Sequence, residues 1–183
     1  MRKIMTQTEI ERSNKRKQIV LGVVLIFLLV VSTAGFSWLS KDEEKSGVVE
    51  ERGIKFYNQN GIWRTQIGEA IFSFTYLPSE VENLTIIGNY SLDNYVNQPL
   101  YFNKLEDGAV EILGNLNNYI LRYQKACTEE PCEEDLPLKD CTNNFIIFTD
   151  GENKVYKEEN CVHIVGDQIK GADAFLYKVL NIL

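Results

Sequence analysis

An uncharged apolar run of 21 residues, Ile19 to Leu39, constrains this chain more than any other feature. At about 1.5 Å of rise per residue, a helix of that length reaches across the roughly 30 Å hydrocarbon core of a bilayer. Lys15, Arg16 and Lys17 precede the run, and Asp42, Glu43 and Glu44 follow it. Residues 1–18 carry six Lys or Arg and two Asp or Glu, a net of +4; of the chain's 19 basic and 26 acidic residues this leaves 13 against 24, a net of −11. That asymmetry predicts a single-pass anchor with the N-terminus in the cytoplasm and the acidic remainder outside. Trp38 falls where an interfacial ring is favoured.

A cleaved signal peptide is the competing reading, and it would make the protein secreted. Ile19–Val31 suits the apolar part of a signal, and Ser32-Thr33-Ala34 offers small residues for cleavage. The apolar course resumes at Phe36, Trp38 and Leu39, and an 18-residue basic lead is long for a signal, so the anchor is preferred. Both readings export the C-terminal part. The chain therefore divides into a basic cytoplasmic segment (1–18), a transmembrane signal-anchor helix (19–39), a charged linker (40–52) and one extracytoplasmic domain (53–183). Some 130 residues suffice for one core, and nine Tyr and nine Phe against four Pro argue for a folded domain. A pI near 4.9 argues against nucleic acid as a partner. The expected partners are membrane lipid, through residues 19–39, and an envelope protein or glycan.

Cys127, Cys132, Cys141 and Cys161 all lie in the exported part. An even number of cysteines outside the cytoplasm predicts two disulfides. Three pairings are open, and the local sequence favours one. Phe145–Thr149 and Lys154–Val165 read as strands around the turn-forming Asp150-Gly151-Glu152-Asn153. Reflecting Cys141 through that turn lands beside Cys161, which leaves Cys127 to close a short loop with Cys132. Zinc is the alternative, but the spacing lacks paired Cys-x2-Cys clips, and His163 is the only histidine. No metal and no cofactor are expected.

Strands are predicted at Ile54–Tyr57, Ile62–Ile67, Ile71–Tyr76, Leu84–Ile87 and Pro99–Asn103, with Gly61 at positive φ in the first hairpin. Phe72, Phe74 and Tyr76 alternate onto one face. Ser91 can cap a short helix. Gly108–Ala126 and Asp167–Leu183 carry helical apolar stripes, the second capped by Asp167, with Ile182 and Leu183 docked at the end. The expected fold is α+β: the transmembrane helix, then a mostly antiparallel sheet with two main helices packed on one face.

From Cys141 through Asp173-Ala174-Phe175-Leu176-Tyr177-Lys178, together with the anchor, the chain resembles single-pass membrane proteins of small-genome archaea to which no activity is assigned. The resemblance implies an archaeal, surface-facing protein and carries no chemistry.

The catalytic inventory is sparse. His163 has no Ser or Cys in a nucleophile elbow, and no phosphate loop, dinucleotide fingerprint or His-Glu-x-x-His helix is present. Non-catalytic binding or envelope assembly is the leading expectation. The alternative is an enzyme or redox accessory using Cys161 and His163, or Cys127 and Cys132. Glu129, Glu130, Glu133, Glu134 and Asp135 work against the second pair, because nearby carboxylates raise a thiol pKa. Those five also form the densest charge cluster, a solvated loop or a docking patch for a basic partner. Calcium is the other use for them, but the loop lacks the spacing of a hand-type site. Asn83-Leu84-Thr85 and Asn89-Tyr90-Ser91 are glycosylation acceptor patterns. Tyr90, Tyr95 and Tyr101, set among Asn89, Asn94, Asn97 and Gln98, make a binding surface or, more simply, core.

Overall fold

The computed structural model describes residues 20–26, 28, 47–132 and 135–183. Residues 20–26 and 28 are helical, and Val20, Leu21, Val23, Val24, Leu25, Ile26 and Leu28 are all exposed. Seven consecutive helical positions sample the whole circumference, so this stretch is apolar all round rather than on one stripe. The rest of the predicted span Ile19–Leu39 lies outside the described residues, as do residues 1–18 and 40–46. Among the described residues no helix is long and apolar enough to cross a membrane. Lys45–Leu183 forms one compact unit, and the helical residues near the start belong to another.

The compact unit begins with an antiparallel meander of β1 (Val48–Glu51), β2 (Ile54–Gln59), β3 (Ile62–Ile67) and β4 (Ala70–Phe74). Two-residue turns join the first three strands. Arg52-Gly53 and Asn60-Gly61 hold both residues at positive φ, the twist-matched hairpin geometry, and Gly61 sits at φ 83 as expected. β1 corrects the predicted linker: Val48 and Val49 pair with Tyr57 and Phe56 and so belong to the domain. Phe56, Phe72 and Phe74 point into the core while Tyr57 and Ile71 are exposed.

A second sheet has six strands in the order β5-β9-β10-β8-β6-β7, formed by β5 (Thr85–Ile87), β6 (Pro99–Phe102), β7 (Arg122–Lys125), β8 (Phe145–Thr149), β9 (Lys154–Glu158) and β10 (Cys161–Val165). Only β9 and β10 pair antiparallel; the other four pairings are parallel. The single, mostly antiparallel sheet expected from sequence is thus two sheets, one of them mostly parallel. The cause is visible in β8 and β10, where Phe145, Ile146 and Phe148, and Cys161, Val162, Ile164 and Val165, are buried on both faces. Strands covered on both faces suit parallel pairing. The predicted hairpin is corrected as well. Lys154–Val165 is two strands turning at Glu159-Asn160, and β10 inserts between β8 and β9.

The helices are a single turn, α1 (Pro78–Val81), then α2 (Asp107–Leu116) and α3 (Gln168–Val179). The helix predicted to run to Ala126 stops at Leu116. Asn117 and Asn118 follow, residues that favour turns over helix interiors, and Arg122–Lys125 continues as the edge strand β7. α3 starts at its expected cap, with Asp167 Oδ1 accepting the Lys170 N–H at 3.0 Å. Ile182 is buried at the end, its N–H donating to the Tyr177 carbonyl.

α3 is buried from Gly171 through Tyr177. It is a middle layer rather than a helix resting on one sheet face, which corrects that part of the expectation. On one side Tyr177 stacks on Phe74 at 4.3 Å and donates to the Tyr76 carbonyl at 2.5 Å. On the other, Gly171 lets the helix touch β10, because a Cβ there would lie 2.4 Å from Ile164 Cγ2. One core therefore runs from Phe56 and Phe74 of the meander, through Phe175 and Leu176, to Ile146, Val162 and Ile164 of the second sheet.

Candidate functional site

Parallel strands leave their carboxyl ends on one edge of a sheet, and ligands favour the crevice where neighbouring connections diverge. Here the chain leaves β6 toward β7 on one side, while β8 continues toward β9 on the other. Asn103 seals the divergence between them. Its Nδ2 donates to the Phe148 carbonyl at 2.9 Å, and its Oδ1 accepts the Phe148 N–H at 2.9 Å.

Beside that clamp, at the ends of β6 and β7, opens a crevice of about 590 Å³. Lys104, Leu105 and Glu106 line one wall, Lys125 and Ala126 the floor, and the loop closed by Cys127–Cys132 the other wall, with Glu129, Pro131 and Leu136. The loop is pinned by the Cys127 N–H to the Pro137 carbonyl at 3.1 Å and by the Lys139 N–H to the Cys127 carbonyl at 2.8 Å. The walls mix both charge signs with apolar patches. That arrangement suits a segment of polypeptide better than a metal or a phosphate, for which one charge sign should dominate.

The four cysteines form two bonds, Cys127–Cys132 with Cα atoms 6.2 Å apart and Cys141–Cys161 with Cα atoms 4.9 Å apart. The pairing matches expectation, but the geometry behind the second differs. β8 and β10 are parallel, so Cys141 just before β8 and Cys161 at the start of β10 meet at the same end of the sheet. Both sulfur pairs are bonded, which leaves no thiolate for zinc. Among the described residues no group of three His, Cys, Asp or Glu side chains is placed to hold a metal ion.

His163 and Cys161 lie on the face of the second sheet turned away from α3. Cys161 is fully buried in its disulfide. The His163 ring stacks on Tyr156 at 4.5 Å, nearly parallel, and its Nε2 lies 3.7 Å from Glu158 Oε2. Burial lowers the imidazole pKa and Glu158 pulls it partly back. Among the described residues its Nε2 makes no hydrogen bond.

The three tyrosines offered as a binding surface are core. Tyr90, Tyr95 and Tyr101 are 8%, 1% and 2% exposed. Tyr90 and Tyr95 set their edges against Phe175, and the Tyr90 hydroxyl donates to the Ile87 carbonyl at 2.8 Å. Burial pushes the Tyr90 phenol up to about 12 and the Tyr95 phenol further. Tyr101 packs on Phe145 under Lys139. Of the acidic cluster, Glu129, Glu130 and Asp135 are exposed; Glu133 and Glu134 lie outside the described residues. Asn83 and Asn89 are exposed at either end of β5.

Sequence reasoning missed a polar network under β4. Asn115 mimics a neighbouring strand, accepting the Ser73 N–H at 2.8 Å and donating to the Ser73 carbonyl at 2.7 Å. Asp173, fully buried, accepts the Thr75 and Tyr76 N–H groups on Oδ2 at 3.0 and 2.8 Å, while Glu111 also accepts from Thr75. Among the described residues Asp173 Oδ1 makes no hydrogen bond. Burial and the neighbouring Glu111 push the Asp173 carboxyl well above the ordinary carboxylate range, so the folded state favours its protonated form. The available signal was an aspartate inside the apolar run Gly171–Tyr177.

Comparison with protein-family models, with curated proteins and with solved structures finds no match. The resemblance to archaeal membrane proteins gains no support from them.

Proposed function

We propose that this chain is a single-pass membrane protein whose disulfide-stapled α+β domain faces an oxidising exterior and binds a partner there without catalysis. The observation that carries this reading is that all four cysteines pair within the domain, as in compartments where disulfides persist. The exposed, all-round apolar helix at residues 20–26 and the basic flank before it support the anchor, with the N-terminus cytoplasmic. An archaeal, surface-facing setting belongs to the same proposal. The crevice at the carboxyl ends of β6 and β7 is the favoured contact for a protein segment.

Alkaline carbonate extraction tests the anchor. The full chain is expected to stay in the membrane pellet, and a variant lacking residues 19–39 to appear in the supernatant. Release of the full chain by carbonate would overturn the anchor.

One observation favours a second reading, thiol–disulfide exchange: Cys127 and Cys132 line the crevice and are only half-buried. Their four-residue spacing and the carboxylate of Glu129 oppose a stabilised thiolate. Under the first reading, replacing both by serine lowers stability and loosens one wall of the crevice, so partner binding weakens but persists. Under the second it abolishes activity in folded protein.

A further inference from the structure

A second cleft, of about 340 Å³, opens on the opposite edge of the six-stranded sheet, at the amino ends of β6 and β8. Its polar lining is Asn94, Gln98, Thr142, Asn143, Asn144, Asn160 and Lys157, drawn from three separate stretches of chain. Among the described residues its lining includes no carboxylate and no aromatic ring, and the nearest carboxylate, Asp140, is held behind Thr142 and Asn143.

The cleft is rigidly framed. Asn144 Nδ2 donates to the Asn94 carbonyl at 2.8 Å, Asn160 Nδ2 to the Thr142 carbonyl at 3.2 Å, and Asn143 Nδ2 to Asp140 Oδ1 at 3.2 Å. The Cys141–Cys161 disulfide ties the same loop to β10. Three amides thus use their N–H groups on the frame, and among the described residues their side-chain carbonyls meet no protein donor. The side chains of Asn94 and Gln98 make no hydrogen bond to protein among the described residues. Lys157 Nζ reaches the Asn89 carbonyl at 3.3 Å and is the one charged side chain among the described residues of the lining.

Fixed carbonyl acceptors beside amide donors match a ligand whose groups donate and accept at closely spaced positions. Hydroxyls along a sugar chain do this, and neutral amides impose no charge requirement on them. Lys157 adds a preference for an acidic sugar. We infer that this amide-lined cleft binds a glycan segment, held by its hydroxyl edges rather than by ring stacking. The inference rests on the exported, binding-module reading and names the ligand class for a site separate from the crevice. Two sources share the chemistry: a glycan of the surrounding envelope, or one attached to this chain at Asn89, whose carbonyl lies against Lys157.

The test is saturation-transfer NMR on the full chain, purified in detergent from a non-glycosylating host, with N,N′-diacetylchitobiose and digalacturonate as probes. Saturation of at least one probe is expected, with the uronate favoured and about fivefold weaker binding in the Asn94→Ala/Gln98→Ala variant. Neither side chain belongs to the frame, so the variant should fold. No saturation of either probe, or equal saturation by the variant, overturns the inference. Chain taken from its native host separates the sources. If an Asn89-linked glycan blocks the probes and Asn89→Gln restores them, the chain's own glycan is the occupant; unblocked binding points to the envelope. Binding by purified chain does not depend on orientation in the membrane, so this test and a topology test can fail separately.

Discussion

Asp173 shows how much one side chain decides. Its raised pKa means that the folded state holds a proton which the unfolded chain releases near the ordinary carboxylate value of 3.8. Folded protein then binds more protons than unfolded, so this group's contribution falls as pH rises from about 4 to about 9. His163 has the opposite sign: its lowered pKa removes stability as pH falls below 6.5. Asparagine at 173 keeps an acceptor for Thr75 and Tyr76 and supplies a donor toward Glu111. Asp173→Asn is therefore expected to flatten the decline between about pH 7 and pH 9 by at least about 1 kcal/mol in urea titrations. An unchanged decline would contradict a buried, protonated Asp173. Gly171→Ala is expected to cost about 1–3 kcal/mol by the same measurement, because the added methyl meets Ile164. At this scale the sequence was legible where backbone chemistry is local, as for Gly61 in its turn and Asp167 at its cap. For Tyr90, Tyr95 and Tyr101 core was the simpler of two readings, and the binding-surface alternative stayed open for Tyr90 and Tyr95 because irregular chain around residues 88–98 has no period to say which ring turns inward.

Elements were legible where alternation is strict and pairing is local. The meander follows from two-residue turns and from Phe72 and Phe74 sharing a face. The second sheet was misread because β8 and β10 are apolar on both sides, and such runs look alike whether they pair parallel or antiparallel. The disulfide partners were nevertheless identified, since both topologies bring residue 141 close to residue 161. The two staples should differ in strength. Loop-closure entropy gives about 3 kcal/mol for the 20-residue separation of Cys141–Cys161 and about 2 kcal/mol for the five-residue Cys127–Cys132 loop. Denaturant titration of the two Cys→Ser pairs is expected to show the larger loss for Cys141/Cys161. The reverse order would mean that the Cys127–Cys132 loop supports more of the fold than its length implies.

For the whole molecule, the reading joins an apolar N-terminal helix to an acidic domain closed by two disulfides. The candidate sites share one plan: strands fix the backbone and a disulfide pins the loop beside it. Cys127–Cys132 does so at the crevice, and Cys141–Cys161 at the amide cleft. Neither site was legible beforehand, because each assembles residues from chain segments far apart in sequence, such as Asn103 with Phe148 and Asn94 with Asn144. The central claim is that this domain lies outside the cell membrane. Protease shaving of intact cells, followed by detection of a tag at Leu183, measures that directly. Loss of the tag while a cytoplasmic control protein survives is the expected result. A tag protected in intact cells and digested only after lysis would contradict the account.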